Sequence, residues 1–288
     1  MKKILAIILT AAFLVSITPS VFGAGAVVRT GKTDEAVSLL KYLNIAEKDE
    51  DLSENVTRAG FAGYAAKLIK AEASGGNLQY YIDVEPAMLS SKAINALTEL
   101  GYFTGYENTY FMPGEKIRTN EVIKVIMSMI GYKELCEAKG GYPLGYLSVA
   151  DSLGISKGIL GEFITKEQLY LMLYKAALEP IYYAASIKND SLVFNSDKDV
   201  TILSRYHDIY YITGIVNAVE QLYLDSSKPV KSGDVKIDGK VLKSNLISTD
   251  MYEYFGMTVK AFYYETDADS AAAVMVIPYG DKNKVFEL

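Results

Sequence analysis

Apolar positions in the first two thirds of the chain recur at helical spacing, in short blocks separated by polar loops. Between residues 33 and 45, Ala36, Leu39, Leu40 and Leu43 fall on one face, the i, i+3, i+4, i+7 arrangement of a helix packed on a core. Thr33 is its expected N-cap, although Ala36 stands where a capping box would place Glu. The polar run Lys48 to Asn55 reads as a loop, and Thr57 then caps a helix carrying Phe61, Tyr64, Ala65 and Leu68. The scheme returns twice. A helix starting at Ser90 or Ser91 runs through Leu100 and ends at Gly101, because a left-handed C-terminal residue suits glycine. After a loop from Tyr102 to Pro113, Thr119 or Asn120 caps a helix with Val122, Val125, Ile126 and Ile130 that stops near Gly131. The third round has a helix ended by Gly154, then one capped by Thr165 that runs through Ala177 and is closed by Pro180.

From about Val193 the pattern shortens. Ile202 to Ile209 reads as one short helix, and Tyr210 to Leu224 alternates as a long strand with Gly214 a bend or bulge. Asp238-Gly239 is a strong two-residue hairpin signal. A helical turn ended by Gly256 precedes two further strands, MTVKAFYYETD and AAAVMVIPYG, joined by the loop DADS. Four or five strands with one helix predict a small barrel or curled sheet, OB-like in character. The fold class expected is therefore α+β: an N-terminal all-α bundle over residues 30–182, in copies 30–75, 79–133 and 141–180, then a small, mainly β domain over 193–288.

The helical part repeats in sequence as well as in pattern. Val56 to Phe61 (VTRAGF), Ile117 to Glu121 (IRTNE) and Ile164 to Leu169 (ITKEQL) are variants of one phrase. Upstream, Ala36, Leu40, Leu43 and Asn44 match Ala93, Leu97, Leu100 and Gly101, each 57 positions on. Ala150, Leu153 and Gly154 continue the frame 53 positions beyond Leu97, Leu100 and Gly101. A repeat of this length is one supersecondary unit copied and packed against itself.

These residues resemble the S-layer homology (SLH) domain, three copies of which anchor many bacterial surface proteins to the cell wall. The middle copy carries the resemblance best: the aromatic-x-Asp opening at Tyr81 and Asp83, the helix frame at Ala93, Ile94, Leu97 and Gly101, a second glycine at Gly105, and Phe-x-Pro at Phe111 and Pro113. The C-terminal part resembles a β module that often follows such repeats in clostridial exported proteins. The resemblance implies a pseudo-threefold bundle whose grooves bind anionic secondary cell-wall polysaccharide, with the motif's Arg making the charge-assisted contact. A guanidinium offers a rigid fork to a carboxylate, and a helix N-terminus adds N–H donors. Carried over by position, the polysaccharide-binding candidates are Thr57 and Arg58, Arg118 and Thr119, and Thr165 and Lys166; Asp83 and Gly101 are structural. The chain departs from the family pattern in four ways. Gly60 replaces the motif's acid, Thr and Arg are exchanged at Arg118 and Thr119, Lys166 loses the fork, and tryptophan is absent. A one-residue displacement turns Arg118 by about 100° around its helix.

Composition narrows the function classes. Met1-Lys2-Lys3, the apolar run Ile4 to Val15 and the small residues Gly23 to Ala26 have the layout of a secretory signal peptide over residues 1–24. Cleavage after Gly23 or after Ala26 both satisfy the small-residue rule. Removing Lys2 and Lys3 takes the formal charge from −6 to −8. That argues against nucleic acid as a partner, since phosphate binding needs clustered Lys and Arg. The lone Cys136 forbids an internal disulfide and reads as a half-buried helical residue. The 23 tyrosines suit wet, sugar-facing surfaces as well as ordinary packing.

No catalytic constellation emerges. The only histidine, His207, neighbours Asp208, but adjacent helical residues face different ways and no nucleophile motif accompanies them. One His and one Cys leave no N/S metal cluster, and the acidic run Glu47 to Asp51 lacks the spacing of a calcium loop and reads as solvated. The expectation is a non-enzymatic protein of a Gram-positive-type cell surface, with no cofactor and no membrane span after signal cleavage. It binds anionic wall polysaccharide through its repeats and other envelope proteins through its β domain. The alternative is a structural or protein-interaction module of the envelope whose repeats no longer bind polysaccharide; an enzyme built on the β domain ranks last.

Overall fold

The computed structural model describes residues 31–74, 79–188, 191–224, 228–247, 250–267, 270–279 and 283. The expected signal segment lies outside the described residues, as do Ala268 and Asp269 of the DADS loop. Helices and strands both contribute, giving a mixed α+β protein.

Helices α1 (Lys32–Tyr42) and α2 (Arg58–Leu68) form the first copy, and α3 (Ser91–Glu99) and α4 (Thr119–Met129) the second. A short α5 (Lys133–Ala138) leads to α6 (Leu144–Ser152) and α7 (Lys166–Leu178) of the third. The apolar positions of the repeat are the buried ones: Leu39 and Leu40, Phe61 and Leu68, Ile94 and Leu97, and Val122 and Ile126 share one core. Cys136 is fully buried there, and burial pushes its thiol up to about 11.

Helix starts divide into two sorts. Thr57 accepts the Gly60 N–H at 3.0 Å. Thr165 accepts that of Gln168 at 3.3 Å, while the Gln168 side chain receives the Thr165 N–H at 3.1 Å, a reciprocal capping box. Thr33 does not cap α1; the helix begins one residue earlier, behind Gly31, and the Thr33 hydroxyl donates to Glu167 on α7 at 3.0 Å. Neither Thr119 nor Asn120 caps α4. The exchange of Thr and Arg puts Arg118 at the N-cap and moves the hydroxyl one residue into the helix. Glu121 then receives the Arg118 N–H at 3.1 Å, and Thr119 Oγ1 donates to the Gly161 carbonyl at 2.9 Å.

The three motif segments are hydrogen-bonded pairwise. Ile117 N–H donates to Val56 C=O at 2.9 Å, Val56 N–H to Ile164 C=O at 2.9 Å, and Thr119 N–H to Glu162 C=O at 2.8 Å. Each copy therefore touches both others through its backbone, and Val56, Ile117 and Ile164 are buried where the segments meet.

A hairpin of β1 (Tyr182–Lys188) and β2 (Ser191–Ser196) starts before residue 193, where the sequence pattern placed no strand. Tertiary contact locates it: Tyr182 N–H donates to Ile130 C=O beyond α4 at 2.9 Å, and its ring stacks on Tyr132 and Phe194, 4.7 and 5.1 Å away.

After α8 (Ile202–His207), strands β3 (Tyr210–Ala218), β4 (Asp234–Ile237), β5 (Lys240–Lys243), β6 (Thr258–Asp267) and β7 (Ser270–Pro278) close in the order β3-β4-β5-β7-β6. Only the β5–β7 neighbours are parallel. Asp238 (φ 41°) and Gly239 (φ 91°) make the expected two-residue turn. β3 stops at Ala218 rather than Leu224, and Gly214 is neither bend nor bulge, since it pairs in even register with Val259. Glycine is needed there because the Asp238 carboxylate, which accepts the Ile215 N–H at 3.1 Å, lies 2.5 Å from where a Cβ would be.

β6 ties the two parts together. Val259, Ala261 and Tyr263 face the barrel interior, while Phe262 joins the helical core. Lys260, also buried, places its ammonium 2.8 Å from Glu35 on α1 and 2.7 Å from the Tyr174 hydroxyl on α7.

Candidate functional site

The Thr and cationic positions carried over from the resemblance all lie at the ring of motif segments. Their cations form a cycle across copies. Arg58 of copy one pairs with Glu121 of copy two at 2.9 Å, Arg118 of copy two with Glu162 of copy three, and Lys166 of copy three with Glu54 of copy one at 2.8 Å. Each cation thus meets a carboxylate of the next copy.

The three positions differ in exposure. The Arg58 side chain is 5% exposed, its Nε donating to the Phe111 carbonyl at 2.7 Å and its guanidinium lying over the rings of Tyr106 and Phe111, 4.7 and 4.9 Å away. A guanidinium with its fork used on a carboxylate and a carbonyl, and its faces against rings, is a packing element of the core edge. The Lys166 side chain is 18% exposed, and the hydrogen bond to Glu54 holds its ammonium above the ordinary lysine value. Arg118 alone is open: 54% exposed and 5.8 Å from the Phe163 ring. Its displacement from the helical position to the N-cap is what leaves it outside.

The loop before α4 is held by groups that the sequence frame contained. Asp83 accepts the N–H groups of Phe111 and Met112 at 2.8 and 2.7 Å, fixing the Phe111 carbonyl on which Arg58 rests. Gly105 (φ +66°) lies where a Cβ would come 2.3 Å from the Tyr81 ring and 2.7 Å from the Tyr110 carbonyl. Tyr81, Asp83 and Gly105 of copy two therefore support one loop.

Around Arg118 the surface is aromatic and wet. Tyr106, Tyr110 and Tyr142 are 37, 43 and 44% exposed. The Tyr106 hydroxyl donates to Glu121 at 3.2 Å, and the Lys124 ammonium lies 5.3 Å from the Tyr142 ring. The Tyr142 hydroxyl is raised by burial first and then by Glu121 and Tyr106, with Arg118 and Arg58 opposing, so these groups share one electrostatic neighbourhood. Flat rings beside an open guanidinium and an ammonium can stack a sugar and bind its acidic substituent.

Sequence reasoning missed Tyr106, Tyr142, Lys124 and all three partner carboxylates. A signal existed for two of the latter. Glu54, Glu115 and Glu162 stand three residues before Thr57, Arg118 and Thr165, and the first and last of them form ion pairs of the cycle. Glu50 also differs from expectation. In the run Glu47 to Asp51 it is not solvated but accepts the Tyr64 hydroxyl at 2.8 Å and that of buried Tyr170. His207 is bound to the Leu68 carbonyl through Nε2 at 2.8 Å. Among the described residues no three His, Cys, Asp or Glu side chains gather to hold a metal ion, and no helix is long and apolar enough to cross a membrane.

No family model matches the chain. It is 26% identical over 196 residues to a protein of Thermoanaerobacter kivui named "Cell surface protein", a match covering 63% of this chain and 25% of that relative. The chain thus spans about a quarter of the relative's length.

Proposed function

We propose that this is a non-enzymatic cell-surface protein, exported and held noncovalently on anionic secondary cell-wall polysaccharide by three SLH-like repeats. In this reading the helical ring is a pseudo-threefold SLH-like bundle and the five-stranded barrel is OB-like, presented outward to other envelope proteins. The surface placement draws on the name of the Thermoanaerobacter relative. The observation that carries polysaccharide binding is the exposed face at the junction of copies two and three, where Arg118 and Lys124 stand among Tyr106, Tyr110 and Tyr142. Of the residues carried over from the resemblance, Arg118 is assigned the ligand contact. Thr57 and Thr165 cap helix starts of the ring and Thr119 ties α4 to the Gly161 carbonyl, while Arg58 and Lys166 brace the ring.

A second reading has its own support. All three motif cations are already paired with carboxylates, which suits a structural or protein-interaction module whose repeats no longer bind polysaccharide. Co-sedimentation of the purified chain with native wall sacculi separates the two. Under the first reading the chain sediments, sacculi stripped of polysaccharide do not retain it, and Arg118→Ala with Tyr142→Ala weakens retention about tenfold, roughly 1.4 kcal/mol. Retention indifferent to both changes, or no retention, favours the module.

A further inference from the structure

We propose that the cleft between the third copy and the barrel is a separate binding site for a carboxylate-bearing sugar. The cleft has a volume of about 740 Å³, within the range of small-ligand sites. Its apolar floor includes Leu171, Leu178 and Pro180, and Tyr211 of β3 and Tyr279 after β7 stand at its wall, each 36% exposed. Lys32 at the start of α1 and Lys175 near the end of α7 enter it from the helical side.

The charge in this cleft is unbalanced. Glu35 is taken up by Lys260 and by the Tyr174 hydroxyl. Glu179 receives the Tyr132 hydroxyl at 3.3 Å, and burial raises its carboxyl above the ordinary carboxylate value. Lys175 meets only the Ile155 carbonyl, at 3.3 Å, and among the described residues neither it nor Lys32 forms an ion pair. Burial, then the charges of Lys32 and Lys157, pull the Lys175 ammonium below the ordinary lysine value. Two ammonium groups of the cleft, Lys32 and Lys175, are therefore without an ion pair among the described residues, and Lys157 adds its charge from nearby, in a chain whose formal charge is −6. A partly desolvated cation without a partner is costly, and a bound carboxylate relieves both that cost and the mutual repulsion. The two tyrosine rings supply what a simple inorganic anion cannot use, flat faces for a sugar ring with hydroxyls at the wet edge. Anion and ring surface together select an acidic saccharide unit.

The site shares no residue with the Arg118 face, so it stands or falls apart from wall binding. The experiment is an NMR titration of the full chain with trigalacturonic acid, its methyl ester and inorganic phosphate. Saturable binding of the acid is expected, moving the resonances of Tyr211 and Tyr279, with the ester failing to bind. Lys32→Gln, at an exposed position, and Lys175→Gln should each weaken binding about tenfold, and Lys175→Arg should retain it. Tyr279→Ala should weaken the acid and leave phosphate unchanged. No saturable binding, equal binding of the ester, or an affinity untouched by Lys32→Gln overturns the proposal. Phosphate binding as tightly as the acid, with Tyr279→Ala silent, overturns the sugar assignment.

Discussion

Arg58 and Arg118 come from the same motif, yet the fold gives them opposite work. Arg58 is 5% exposed and its partner Glu121 is 23% exposed, so removing the cation strands a carboxylate and a carbonyl at the edge of the core. Breaking a buried pair of this kind costs about 3–5 kcal/mol. Arg118 and Glu162 are 54 and 58% exposed, and pairs in that setting contribute about 0–1 kcal/mol. Denaturant unfolding of Arg58→Ala and Arg118→Ala should therefore differ by several kcal/mol, with only the first losing substantial stability. Equal losses would contradict the assignment of Arg58 to structure and Arg118 to the surface. The sequence could not make this distinction. Thr-Arg and Arg-Thr read as the same motif with a slip, and what the slip does depends on which residue lands on the N-cap.

At the level of elements, helices were the most legible feature, because a 3.6-residue period needs only local sequence. Leu39, Leu40, Ile94, Leu97, Val122 and Ile126 were readable as core before any contact was known, and the Asp238-Gly239 turn was equally local. The β1–β2 hairpin was not, since Tyr182 is placed by stacking on Tyr132 and bonding to Ile130, contacts that no periodicity announces. Gly214 differs from its sequence reading for a related reason: its smallness answers to Asp238, a residue of the β4–β5 turn. The loop before α4 sits between these cases, its Asp83 legible by motif and its role set by geometry. Asp83→Ala should cost about 1–3 kcal/mol, the range for charge-assisted bonds left unmade. Hydrogen exchange should show the Phe111 and Met112 amides losing protection first. Unchanged protection at those two amides would mean that the loop holds itself.

For the molecule as a whole, helical ring and barrel are joined by buried polar contacts as well as by apolar packing. Lys260 reaches Glu35 and Tyr174, and His207 on α8 donates to the Leu68 carbonyl of α2. Burial lowers the His207 pKa from 6.5, outweighing the carbonyl and Asp208, while Lys70 acts in the same direction as burial. The unfolded chain then takes up the proton first, so this contribution is complete above about pH 6.5 and is lost as pH falls from there toward the folded value. Thermal melts should show the wild type losing stability more steeply than His207→Gln as pH is lowered through that window; parallel curves would remove His207 from the pH response. The backbone cycle among the motif segments has a different consequence. In a linear solenoid each added repeat extends the stack, and its ends must be sealed by special caps. Here copy three returns its bonds to copy one, so the array has no ends and its number is set by closure. A chain shortened by one copy would not be a smaller version of this protein but an open ring with two unsatisfied edges. The partner that fits those edges is the same segment from another molecule, the route to domain-swapped assembly.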